Sequence, residues 1–172
     1  MSAHDDLVLQ VNDCTRCTLH RKRTKAVPGE GNLNADIVFI GEGPGFYEDQ
    51  QGRPFVGPAG QLLVDLLASI GLRREDVYIT NMIKCRPPNN RDPLPDEIDA
   101  CKPYLDRQLE MISPKVVVTL GRYSLSKFFP NVPIGKGRGK PVKWGNFIVY
   151  PVYHPAAALR NGNFRAVLES DF

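Results

Sequence analysis

The sequence predicts an α/β fold, a three-layer αβα arrangement around a central four-stranded, largely parallel sheet. Three observations carry this. Four short runs rich in β-branched and aromatic residues read as buried strands. Stretches with apolar residues at helical spacing lie between them. The two kinds alternate strictly, the order produced by parallel strands joined through crossover helices. With 172 residues the chain is expected to form one domain over residues 1–172, large enough to hold a core without disulfide staples.

Taken in order, Asp5–Asn12 reads as an N-terminal helix, followed by a strand at Asp36–Ile40 (DIVFI). Gln61–Ile70 (QLLVDLLASI) carries apolar residues at helical spacing and stops before Gly71, a natural C-terminal cap. Val77–Thr80 (VYIT) is the second strand. Pro95–Ile112 opens with proline and acidic residues, both favourable in a first turn, and continues as a helix through Ile98, Leu105 and Leu109. Lys115–Leu120 (KVVVTL) is the third strand, Arg122–Phe129 a helix stopped by Pro130, Phe147–Val152 (FIVYPV) the fourth strand and Asn163–Phe172 a closing helix.

No apolar run approaches the ~20 residues needed to cross a bilayer, and the first six residues are polar and acidic. The expectation is a soluble cytoplasmic monomer with no membrane partner. The net charge is only +3, but it is unevenly spread. Arg16, Arg21, Lys22, Arg23 and Lys25 form one basic cluster; Lys136, Arg138, Lys140 and Lys143 form another. Both suit nucleic acid, and both suit an ordinary solvated surface.

In open parallel sheets, ligands bind beyond the carboxyl ends of the strands. The residues there are Gly41 to Gly45 (GEGPG), Asn81, Gly121, and Tyr153, His154 and Pro155. They bring a carboxylate (Glu42), an amide and an imidazole to one crevice. The glycine-rich turn lacks the spacing of a dinucleotide loop and the lysine of a P-loop. Phe55 sits among glycines and prolines, outside any periodic pattern, and suits either the core or stacking on a flat ring. Asn81 suits a turn, or the donor–acceptor edge of an imide. His154 suits a packed strand end, or donation to a leaving-group oxygen.

Four cysteines, Cys14, Cys17, Cys85 and Cys101, include a single C-x-x-C. That number and spread suit tetrahedral zinc, an iron–sulfur cluster or unrelated buried thiols.

C-x-x-C at Cys14 and Cys17, GEGPG at Gly41 to Gly45, GRPFVG at Gly52 to Gly57, TNMIKCRPP at Thr80 to Pro88, LPDEIDAC at Leu94 to Cys101 and HPAAALRN at His154 to Asn161 occur in that order. Together they resemble the iron–sulfur uracil-DNA glycosylases, family 4 of the uracil-DNA glycosylase superfamily. The resemblance runs from Cys14 to about Asn161. It implies a [4Fe–4S] cluster on Cys14, Cys17, Cys85 and Cys101, and a DNA repair enzyme. Such an enzyme flips uracil from DNA, hydrolyses its N-glycosidic bond and leaves an abasic site.

The same resemblance implies site roles. Phe55 stacks on the flipped uracil, Asn81 reads its imide edge, and the backbone of Glu42 and Gly43 closes the pocket. Glu48 lies beside uracil C5, where thymine carries its methyl. His154 donates to uracil O2 and stabilises the departing anion. Other classes of the superfamily carry an aspartate where Gly43 stands, so Glu42 is the candidate to hold the attacking water. Leu159 wedges into the gap left by the flipped base while Arg160 takes phosphate. Ala156 and Ala157 stand where many relatives have serine, which leaves that DNA contact to backbone amides. Two other readings are a relative that cross-links to its product and a non-enzymatic Fe–S nucleic-acid module. Neither the basic insertion of the first nor a reason for Phe55, Asn81 and His154 in the second is evident.

Overall fold

A capping box opens the chain in the computed structural model, which describes residues 2–172. Ser2 Oγ accepts the Asp5 amide at 3.1 Å and Asp5 Oδ2 accepts the Ser2 amide at 3.3 Å, so α1 (Ala3–Asn12) starts two residues before the predicted helix. Then follow β1 (Glu30–Gly31), β2 (Ile37–Gly41), α2 (Phe46–Gln51) and α3 (Pro58–Ser69). Pro58 occupies the first helical position of α3, which moves its start ahead of the predicted Gln61. At its end the Gly71 amide donates to the Ala68 carbonyl and the Leu72 amide to the Leu67 carbonyl, with Gly71 at φ +77°. This is a Schellman cap, the role expected of that glycine.

β3 (Tyr78–Asn81), α4 (Pro95–Ile112), β4 (Val116–Leu120) and α5 (Arg122–Phe128) come next. The chain closes with α6 (Ile134–Gly137), β5 (Val142–Trp144), β6 (Phe147–Val152), α7 (Pro155–Arg160) and α8 (Gly162–Asp171). No helix among the described residues is long and apolar enough to cross a membrane.

The sheet has six strands, not the four expected, in the order β1-β3-β2-β4-β6-β5. The four predicted strands form its parallel centre, and the two missed ones are antiparallel edges. β1 spans two residues and β5 three, too short to print an alternating pattern, and all three β5 residues are exposed.

Alternating residues along the central strands feed two cores. Phe39, Ile79, Val118, Leu120 and Val152 pack with Leu62, Leu63, Leu66 and Leu67 of α3, Ala158 of α7 and Leu168 of α8. Val38, Ile40, Tyr78, Val117 and Val149 pack with Leu105, Leu109 and Ile112 of α4 and Phe128 of α5. Helices therefore cover both faces. A third cluster joins Leu7 and Val11 of α1 to Ile83, Tyr104 and the cysteine segments.

Candidate active site

β2 leads to β3 on one side and the chain then crosses to β4 on the other, so the topological switch lies between β2 and β4. A cleft of about 740 Å³ opens at their carboxyl ends, the place that a doubly wound sheet provides for a ligand. Glu42 and Gly43 follow β2, Asn81 ends β3, Gly121 follows β4 and His154 follows β6; all line the cleft, together with Phe55 and Glu48. The structure thus brings together the predicted residues at all four strand ends.

The floor is built around Gly41. A methyl group there would stand 2.5 Å from Asn81 Oδ1 and 2.6 Å from Phe55 Cζ, so the amide and the ring close over a bare backbone. Asn81 is buried, and its Oδ1 has no hydrogen-bond partner. An amide oxygen sequestered without a donor is costly, which marks Asn81 Oδ1 as a candidate acceptor at the cleft wall. Phe55 adopts φ +52°, a left-handed conformation that a bulky residue pays for. Arg74 holds it there by donating to the Phe55 and Pro54 carbonyls, both at 2.6 Å, while bonding Glu30 on β1 at 3.2 Å. The Phe55 carbonyl also rests directly against Gly60, where no Cβ fits.

His154 caps α7. Its Nδ1 accepts the Ala156 amide at 3.0 Å, and its ring lies 5.5 Å from that of Phe55 at an interplanar angle of 26°. Burial and the charge of Arg160 push the imidazole down to about 4, so at neutral pH it is uncharged. With Nδ1 an acceptor, the single ring proton belongs on Nε2.

Burial, helped by Asp92, raises the Glu42 carboxyl above its ordinary value, against Arg122 and Arg160. Arg122 pairs with Asp92 at 3.0 Å across the rim. A Cβ at Gly43 would meet Ile83 Cγ1 at 2.7 Å, which leaves no room for a carboxylate there unless the buried Ile83 moves. Glu48 is committed to the loops themselves. Its Oε1 accepts the Gly45 amide at 3.0 Å and its Oε2 the Val56 and Gly57 amides at 2.9 and 2.8 Å. It fastens the glycine-rich turn to the Phe55 loop. Leu159 is 44% exposed on α7 beside the cleft, and Arg160 lines it.

Cys14, Cys17, Cys85 and Cys101 form no disulfide, and the four residues line one small cavity. Among the described residues, no three of the His, Cys, Asp and Glu side chains form a ready donor set for a single metal ion. The donor chemistry around the sulfurs nevertheless suits electron-rich thiolates. Arg23 Nη1 donates to Cys85 Sγ at 3.1 Å, the Arg16 amide reaches Cys14 Sγ at 3.5 Å, and the Lys84 amide bonds Cys101. Burial pushes the Cys101 thiol up to about 11, so it gives up its proton only to a strong positive charge.

Asp92, Arg122 and Arg74 escape a reading of motifs. None falls within the motifs quoted above, and each matters through a partner distant in sequence. The opposed charges of Asp92 and Arg122 give no sign that the two meet until the fold is known.

A model of the uracil DNA glycosylase superfamily matches residues 28–170. The chain is 52% identical to the Type-4 uracil-DNA glycosylase of Sulfurisphaera tokodaii, over all of this chain and 83% of that one. It is 55% identical to the Type-4 enzyme of Saccharolobus solfataricus, over 95% and 80% of the two chains. The Type-4 enzyme of Archaeoglobus fulgidus is 51% identical, over 100% and 91%.

Proposed function

The chain belongs to the uracil DNA glycosylase superfamily, and from that premise we propose that it removes uracil from DNA by hydrolysing the N-glycosidic bond. The observation that carries this reading is the unpartnered Oδ1 of Asn81, buried beside the Phe55 ring in a cleft that His154 also lines. An imide presents one N–H between two carbonyls. Asn81 Oδ1 accepts from uracil N3–H, and its amide nitrogen donates to O4. Cytosine reverses that pattern and leaves both groups unpaired, the situation in which a buried site discriminates most strongly.

The flipped base stacks on Phe55 with His154 Nε2–H directed at O2. As the C1′–N1 bond breaks, its electron pair moves onto the base, and the hydrogen bond to O2 strengthens with the growing charge. A neutral imidazole is a suitable donor, because it does not hand over its proton prematurely. Water adds to C1′, and Glu42 takes the proton released; its raised affinity for a proton suits that role. Gly43 contributes backbone only. Glu48 keeps the pocket wall against uracil C5 by holding its two loops together. No lysine lines the cleft among the described residues, which favours simple hydrolysis over an amine-linked lyase step.

Leu159 fills the space that the base vacates and Arg160 contacts phosphate. A [4Fe–4S] cluster held by Cys14, Cys17, Cys85 and Cys101 would tie the N-terminal segment to the proline-rich segment at the rim. On this reading residues 1–172 act as one domain and as a monomer in the cytoplasm. An end-labelled oligonucleotide with one uracil, treated with the protein and then alkali, is expected to break at that position. Intact DNA, or a covalent protein–DNA band stable to heat, would overturn the reading.

A further inference from the structure

Lys84 is fully buried, and among the described residues no carboxylate lies within ion-pair distance of it. Its three ammonium protons are all used: Nζ donates to Thr80 Oγ1 at 2.6 Å, to the Asn81 carbonyl at 2.8 Å and to Gln108 Oε1 at 2.8 Å. The acceptors are themselves fixed. Thr80 Oγ1 donates to the Pro28 carbonyl at 2.8 Å, and Gln108 Nε2 donates to the same carbonyl at 2.8 Å and to Tyr78 Oη at 3.0 Å. The main chain of Lys84 is held as firmly, with its carbonyl accepting the Val27 amide at 2.7 Å and its amide bonded to the Cys101 sulfur.

An ammonium taken out of water is expensive, and a methionine would fill the same space without that cost. What methionine cannot do is grip a carbonyl. The carbonyl gripped belongs to Asn81, whose side chain keeps an unpartnered oxygen at the cleft. Lys84 itself does not line that cleft; it lines the cysteine cavity on the other side.

We propose that Lys84 is a positioning residue for base recognition: its ammonium fixes the Asn81 backbone, and its own backbone is anchored to Cys101, so that the Cys101 side of the cysteine cavity and the base-reading amide are one mechanical unit. The inference rests on the reading of Asn81 given above. Lys84 touches no substrate and acts only through Asn81. Its loss should therefore matter only while the Asn81 side chain is present.

That expectation is tested by a double-mutant cycle with wild type, Lys84→Met, Asn81→Ala and the double variant. Two quantities are measured on folded protein: the single-turnover rate on a uracil oligonucleotide, and the affinity for an oligonucleotide carrying a 2′-fluorinated deoxyuridine that resists cleavage, relative to its cytosine counterpart. Lys84→Met is expected to lower the rate about 10- to 100-fold, the scale of one lost hydrogen bond to a charged group, and to lower the uracil preference in binding. The double variant should be no slower than Asn81→Ala alone. Losses that multiply, or an unchanged binding preference, would reduce Lys84 to a packing residue and overturn the proposal. If Lys84→Met does not fold, Lys84→Gln, which keeps donor protons, enters the same cycle under the same criterion. A wild type that leaves uracil in DNA overturns the function and this inference together; an active wild type with multiplying losses overturns the inference alone.

Discussion

The Ala156 amide donates to His154 Nδ1 at 3.0 Å, and this one bond decides which face of the imidazole can donate into the cleft. The first turn of α7 fixes the tautomer, so the residue that caps this helix arrives with its Nε2 proton already in place. His154→Ala should slow single-turnover excision by about 10²–10³-fold, the usual loss for a donor aimed at developing negative charge. Binding of uracil DNA should change little. The same environment has a signature in stability. The folded imidazole titrates near 4 and the unfolded one near 6.5, so between those values the unfolded chain takes a proton that the folded chain refuses. Stability from this group is therefore complete above pH 6.5 and is lost as pH falls toward 4. The melting temperature of wild type should drop across that window more steeply than that of His154→Gln. Normal excision rates in both variants would make His154 an ordinary packed strand end, and parallel curves would mean that burial does not hold its imidazole neutral.

The cysteine cavity predicts colour. Protein prepared without oxygen should be yellow-brown and carry about four irons and four sulfides per chain. Replacing Cys101 with serine should remove both iron and colour. One zinc per chain with neither iron nor sulfide would refute the cluster and leave the four thiols as a tetrahedral zinc site.

How much of this was legible beforehand follows from what each residue depends on. β2, β3 and β4 are buried on both faces almost throughout, β6 is so toward its carboxyl end, and such runs announce themselves. Their carboxyl ends then bring Glu42, Asn81 and His154 to one crevice on sequence grounds alone. β1 and β5 stayed hidden because two or three residues carry no period. α2 and α7, six residues each, were equally mute. The role of Glu48 was hidden for a different reason: its three bonds go to backbone amides, which leave no trace in side-chain identity. Arg74 is similar, since its partners are the carbonyls of Pro54 and Phe55.

Gly41 is the position least tolerant of any side chain. An added methyl would press on Asn81 Oδ1 at 2.5 Å and on the Phe55 ring at 2.6 Å. Phe55 cannot easily retreat, because Arg74 and Gly60 hold its carbonyl. Gly41→Ala is therefore expected to cut uracil excision at least as severely as Asn81→Ala, with overpacking costing about 1–3 kcal/mol of stability by chemical denaturation. Near-normal excision by Gly41→Ala would mean that the amide and the ring are not held against this backbone.

Glu42 sits among charges of both signs. Burial and Asp92 raise its carboxyl, while Arg122 and Arg160 pull the other way. Only the ionised form can take a proton from water, so the rate should fall as pH drops through the raised titration of Glu42. His154, near 4, titrates too low to set that limb. Asp92→Asn removes the negative neighbour and also frees Arg122 from its 3.0 Å ion pair. Both changes favour the carboxylate, so the acid limb should move to lower pH. Arg122→Gln removes a cation and leaves Asp92 unopposed, so the limb should move up. Glu42→Gln should be slow and flat across the same range. Single-turnover rates against pH for the four proteins test this directly. The two exposed neighbours should displace the limb in opposite directions; shifts in the same direction, or a limb that survives in Glu42→Gln, would assign the titrating group elsewhere.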